Sequence, residues 1–264
     1  MKRTLFATIR SMFASSKRPE DVPGTAPWWR NRYEQRLRHR DRGLTLERIC
    51  EAALAILDRE GLRELTMRRL ADELGTGPAS LYRHIASREE LLVELADRLI
   101  GELPTPDDAL GWRDAVEQLA HELRRVLLTH GGVVLLITNG PLLGPNSMRL
   151  REMFWRVMDR DGCEAQFAVQ TYFTVIHFVV CSALFGASAI RNANATWETS
   201  REKGSGLAEL LDVLPARLYP TVLKFSEYGD RPDPEYDFNF GLGALLDGLE
   251  NAPGAASTAP RPSA

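Results

Sequence analysis

Ser80, Tyr82, Arg83 and His84 place a hydroxyl, a phenol, a guanidinium and an imidazole within five residues. That set makes no hydrolytic triad, but it suits nucleic acid. An arginine can fork onto a guanine edge or clamp a phosphate, and nothing in the spacing separates those two roles for Arg83. Phenol and imidazole groups donate to phosphate oxygens, so Tyr82 and His84 are expected on the backbone. Pro78 and Ala79 open the same segment; Ala79 suits a thymine methyl and Ser80 a base edge. Elsewhere the chain has no Ser/His/Asp constellation, no Gly-rich phosphate loop and no paired carboxylates in an apolar setting. His39, His84, His121, His130 and His177 form no His-x3-His or His/Cys cluster. No catalytic residue, metal site or cofactor is expected.

The elements that position these side chains are legible nearby. In Thr66–His84 a small residue, Ala71, marks where two helices cross. Gly75 follows four residues later, where the chain leaves the first helix and positive φ is needed. Leu81 comes six residues after that and points back to the core. This spacing is the helix-turn-helix pattern, which by itself also fits a plain helical hairpin. Pro78 suits a first helical turn. Thr66 is placed to cap its helix and to offer its hydroxyl to a phosphate. Ser87 and Glu90 form a capping box for the next helix, whose first turn holds Arg88.

The whole chain reads as all-α. Helical periodicity recurs and strand alternation does not persist. Leu46, Ile49, Cys50, Ala53, Ile56 and Leu57 form one apolar stripe ended by Gly61. Helices are predicted at about 67–74, from 78, from 88 to before Pro104, and at 112–129, 132–138, 146–160, 164–192, 207–227 and 235–249. Residues 1–27 read as a disordered leader that weakly mimics a targeting presequence, and 251–264 as a disordered tail. Residues 28–43 form a basic arm: Arg30, Arg32, Arg36, Arg38, Arg40 and Arg42 stand against Glu34 and Asp41. Such an arm is either a solvated extension or a tracker of phosphates and the minor groove. The net charge of −3 carries no argument about nucleic acid. Cys50, Cys163 and Cys181 are too scattered for a disulfide framework, which fits a reducing cytoplasm. Phe167–Ile190 is uncharged and long enough to span a bilayer, but its polar residues favour a buried helix and no membrane role.

From Leu44 to Leu103 the sequence resembles the N-terminal domain of the TetR family, without a gap through LTMRRLADELGTGPASLYRHIASREELL. Leu81-Tyr82-x-His84 followed by Arg88 is the most specific part. The resemblance implies that Thr66, Arg68, Pro78, Ala79, Ser80, Tyr82, Arg83, His84 and Arg88 occupy DNA-contacting positions. It implies a helix-turn-helix domain at 44–103, followed by a helical ligand-binding and dimerisation domain at 104–250, where GPLLGPNSMRL and FNFGLGALLDGLE resemble a recurrent subgroup. The partners it implies are double-stranded operator DNA, a second copy of the chain and an unidentified small-molecule effector. Release of a repressor by ligand is the expected mechanism; an activator or a ligand-blind repressor fits the sequence as well, and a helical enzyme or carrier is the rival from another class. The family's tetracycline-responsive members use a histidine near the end of the fourth helix in a magnesium-linked site. Counting without gaps, Pro104 stands there, which argues against tetracycline.

In the long helix, Gln170, Thr174, His177 and Cys181 share one face by their spacing. Ala168, Tyr172, Val175, Val179, Ala183, Gly186 and Ile190 run opposite. The small-residue side is expected at a two-fold dimer contact and the polar stripe along an interior ligand pocket. A lone histidine such as His177 in an apolar helix is more often a core residue satisfied by a neighbour. The last helix, with Phe238, Leu242, Leu245, Leu246 and Leu249 on one side, is expected to complete a four-helix dimer bundle.

Overall fold

The computed structural model describes residues 22–38, 44–130, 142–195, 206–226 and 233–255, with backbone only at 35–38, 187–195 and 206–209. These residues form helices and no strand. In chain order they are α1 (Ala26–Arg38), α2 (Leu46–Glu60), α3 (Met67–Glu73), α4 (Pro78–Tyr82), α5 (Arg88–Ile100), α6 (Trp112–Thr129), α7 (Pro145–Arg160), α8 (Ala165–Ala195), α9 (Gly206–Val213), α10 (Pro220–Ser226) and α11 (Pro234–Glu250). The segments predicted at 1–21, 39–43, 132–138 and 256–264 lie outside the described residues.

Local chemistry sets the helix ends. Thr45, Thr66 and Ser87 each accept a backbone N–H three residues on, capping α2, α3 and α5. Glu90 closes its box one residue early, accepting the Ala86 N–H at 2.7 Å. α3 ends as the sequence requires. Gly75 has φ +62°, its N–H reaches Asp72 O, and the Thr76 N–H reaches Ala71 O at 3.0 Å. That pair of bonds is a Schellman ending, which turns the chain sharply into α4.

One apolar core runs through both halves. Ile49, Ala53 and Ile56 of α2 are fully buried, as are Leu65, Leu70, Ala71, Leu81 and Ile85 around the turn. Leu91, Leu95 and Leu99 of α5 are buried too. α5 therefore belongs to both domains, packing on α2 below and on α6 and α7 above. α8 packs on α6, α7 and α11.

Four expectations change. The described part of the 28–43 arm is not a solvated extension: it lies in a helix, Ala26–Arg38, with Trp28 and Trp29 buried at 8% and 3% exposure. The aromatic residues interleaved with the arginines anchor that helix. The segment at 207–227 is split into α9 and α10, because Pro215 cannot continue a helix. The chain at 251–255 is not a loose tail: Ala252 and Ala255 pack on the core, and the Glu164 N–H donates to Gly254 O at 2.9 Å.

The fourth change is the orientation of α8. Tyr172, Val175, Val179 and Ala183 face the core, while Gln170, Thr174, His177 and Cys181 are exposed. The sides expected from the sequence are therefore reversed. A helix apolar around most of its circumference carries little signal for which side is inward. Packing decides: Gly186 lets α8 approach Leu128 of α6, and the Tyr172 ring meets Phe154 at 5.3 Å and Trp155 at 5.7 Å. The 165–186 part of α8 is long and apolar enough for a membrane span, yet half of that stretch is already buried within the chain.

Candidate nucleic-acid interface

α4 is five residues long and is held by Leu81 and Ile85, both fully buried. Its remaining side chains turn outward. Pro78, Ala79, Arg83 and Tyr82 are exposed, Tyr82 at 50%, and Ser80 and His84 are half-buried. The Arg83 guanidinium donates to Ser80 Oγ at 2.9 Å, a local bond that a base edge or phosphate can replace. Thr66 and Arg68 are exposed at the start of α3. Eight of the nine sequence-selected residues thus lie on the outer side of one helix-turn-helix unit.

Arg88 is the exception. Its Nε donates to Leu65 O and its Nη2 to Leu62 O, both at 2.8 Å. The side chain pins the α2–α3 connection, so two of its nitrogens are held by the protein rather than turned outward. Family position alone does not reveal which way an arginine's donors are spent.

A second charged cluster braces α2 against α3. Arg69 meets Glu60 and Glu73 at 2.7 Å, and Arg59 meets Glu60 at 2.6 Å. The hydrogen bonds from Arg69 and Arg59 hold the Glu60 carboxyl down at about 2.

α5 carries three buried acids at stripe spacing: Glu90, Glu94 and Asp97, at 6%, 3% and 4% exposure. Ionised groups are rarely this buried without partners. Arg32 of α1 supplies them for two. Its Nη2 lies 2.9 Å from Glu90 Oε1, its Nε donates to Glu94 Oε1 at 2.9 Å, and its Nη2 also donates to His84 O at 3.1 Å. Burial pushes the Glu90 carboxyl above its ordinary value, against the pull of Arg32. Arg32 is thus spent inside the protein and is not a tracker of phosphates. Asp97 takes the start of α7. It accepts the N–H groups of Asn146 and Ser147 at 3.1 and 2.9 Å, Ser147 Oγ at 2.8 Å and Asn146 Nδ2 at 3.2 Å. Gly144 permits this approach, since a Cβ there would fall 2.2 Å from the carboxylate. Arg149 of α7 adds bonds to Gly101 O and Leu103 O. Sequence reasoning missed these ties. The available signal was acids recurring at four and three residues on an apolar helix.

At the same joint, His130 bridges Asp58 of α2, at 2.9 Å, and Glu102 beyond α5, at 3.7 Å. In the regulatory half, Phe178, Cys181, Ser182 and Phe185 of α8 face Pro234, Asp237 and Phe238 of α11 across a cleft of roughly 520 Å³. Of the four residues expected to line a pocket, only Cys181 borders it. Deeper in the domain, Arg124 Nε, Arg151 Nε, Trp155 Nε1 and Thr171 Oγ1 are buried without hydrogen-bond partners among the described residues, and the Arg151 guanidinium lies 5.5 Å from the Tyr172 ring centroid.

Fold and site together define a helix-turn-helix regulator: an exposed reading helix joined by one rigid helix to a helical core. Residues 49–95 match the tetR family of bacterial regulatory proteins, and residues 104–252 match the Tetracyclin repressor-like, C-terminal domain. The transcriptional repressor DrrR1 of Streptomyces coeruleorubidus is 35% identical over 78% of this chain and 77% of its own. The class A tetracycline repressor of transposon 1721 from Escherichia coli is 27% identical over 76% and 88%. Among solved structures, ActR of Streptomyces coelicolor in complex with actinorhodin superposes with a TM-score of 0.69, at 33% identity, over 79% of this chain and 97% of ActR. The chain belongs to the TetR family and is a DNA-binding regulator of transcription.

Proposed function

We propose that this regulator is a cytoplasmic repressor, that it binds a two-fold operator as a homodimer, and that a small ligand releases it. The reading face is Thr66, Arg68, Pro78, Ala79, Ser80, Tyr82, Arg83 and His84. The carrying observation is the exposure of Tyr82 and Arg83 on a short helix anchored by Leu81 and Ile85. A second observation favours ligand response. α5 is tied below, through Arg32, to the His84 carbonyl of the reading unit and above to α7, a route by which a change in the regulatory core would move the reading helices. Ligand binding and operator binding are then linked and reciprocal. ActR was solved with actinorhodin. Here the buried polar atoms Arg151 Nε and Trp155 Nε1, on side chains beside the Tyr172 ring, suit a guest that brings its own hydrogen-bonding groups.

The test is fluorescence anisotropy with a duplex selected from a randomised library by the wild-type protein, against an unrelated duplex of equal length. Preference for the selected duplex, lost in Tyr82→Ala and Arg83→Ala, supports the reading. Equal, salt-labile binding to both overturns sequence-specific repression.

A further inference from the structure

We infer that Arg32, a residue of the N-terminal helix α1, is a positioning residue for operator reading: it fixes the exit of α4 against α5. The inference rests on the operator-binding role of α4 and adds a part that lies outside the helix-turn-helix unit. α4 is too short to be stable alone, so its placement must come from its surroundings. Two residues beyond its end, the His84 carbonyl accepts from Arg32 Nη2 at 3.1 Å. The same guanidinium holds Glu90 and Glu94, both on α5. One planar group therefore joins the exit of the reading helix to α5, the helix that packs on both halves of the chain.

The base of this tie is itself fixed. Trp28 and Trp29 bury α1 on the domain, and the Arg32 guanidinium lies 5.5 Å from the Trp28 ring centroid. The Arg32 side chain is 15% exposed, and those of Glu90 and Glu94 are 7% and 3%. Three acceptors converge on a fork of donors, a geometry that a lysine ammonium does not reproduce. Arg32 need not touch DNA for this; its charge is already spent.

The test uses the full chain with two variants. Arg32→Lys keeps the charge and loses the fork. Arg32→Met combined with Glu90→Gln and Glu94→Gln removes the tie without leaving buried carboxylates unpaired. Affinity is measured for the library-selected duplex and for the unrelated duplex, with amide hydrogen exchange on the free protein. Both variants are expected to lose about tenfold or more on the selected duplex, the scale of a mismatched base pair. Binding to the unrelated duplex and its salt slope stay unchanged. The His84 and Ile85 amides exchange faster while those of α2 hold. Equal losses on both duplexes, or a shallower salt slope, would make Arg32 a general or phosphate contact and overturn the inference. So would wild-type exchange at His84 and Ile85. If the wild type selects no duplex, the operator role falls, and the exchange comparison alone decides whether Arg32 positions α4.

Discussion

Two arginines five residues apart are used in opposite ways. Arg83 is exposed and, among the described residues, makes a local bond to Ser80, while Arg88 is held by two carbonyls. Their substitutions should therefore separate. Arg83→Ala and Tyr82→Ala should each lower operator affinity by about 1–3 kcal/mol, the range for a lost base or backbone contact. Both should leave the melting temperature unchanged, because neither side chain is buried. Arg88→Ala should instead lower stability by on the order of 2 kcal/mol, since charged hydrogen bonds to Leu62 and Leu65 carbonyls are lost. Melting curves run beside anisotropy check this; a wild-type melt for Arg88→Ala would return it to the DNA-contacting set.

At the scale of elements, α5 is a shaft seated at both ends. Asp97 provides the upper seat by capping α7. Asp97→Ala leaves two N–H groups at a helix start without an acceptor and should destabilise by about 1–2 kcal/mol. Its sharper expected effect is a smaller change in operator affinity at saturating ligand, because α5 is no longer held to the core that senses it. Coupling equal to wild type would remove Asp97 from the transmission. The α2–α3 brace is a separate device. Glu60, held at about 2 in the fold against 4.5 for the free group, favours folding above pH 4.5 and loses that contribution as the pH falls toward 2. The brace is solvent-exposed, so the effect is small. Glu60→Gln should flatten the acid limb of the melting temperature measured against pH. Legibility of these elements follows range. The caps at Thr66 and Ser87, the turn at Gly75 and the anchors Leu81 and Ile85 are local, and the sequence specifies each within a few residues. Arg32 with Glu94 and Asp97 with Ser147 join elements far apart in the chain, and no spacing encodes such a pairing. The inward side of α8 is illegible for another reason: both of its sides are apolar enough to be buried.

That ambiguity has a cause at the scale of the whole molecule. In the single chain α8 exposes Phe173 and Phe185 at 41% and 76%, and α11 exposes Tyr236 and Phe240 at 65% and 69%. Among its described neighbours α10 buries nothing, and it exposes Val222 and Phe225. Large apolar groups concentrated on two adjacent helices mark a surface that needs a partner. In the proposed homodimer, a second copy related by a two-fold axis would cover it by setting α8 and α11 against their counterparts, which would put Gln170, Thr174, His177 and Cys181 at the contact instead of in a pocket. The expected dimer faces are thus the opposite sides of α8 from those the sequence favoured. Phe240→Glu puts a charge on that surface without touching the core. Sedimentation should show a wild-type dimer and a Phe240→Glu monomer. The variant should also lose the selected duplex, because two heads spaced roughly 34–36 Å apart are needed to read both half-sites. A wild-type monomer at micromolar concentration would overturn the homodimer. A Phe240→Glu dimer that still binds would move the contact to another face.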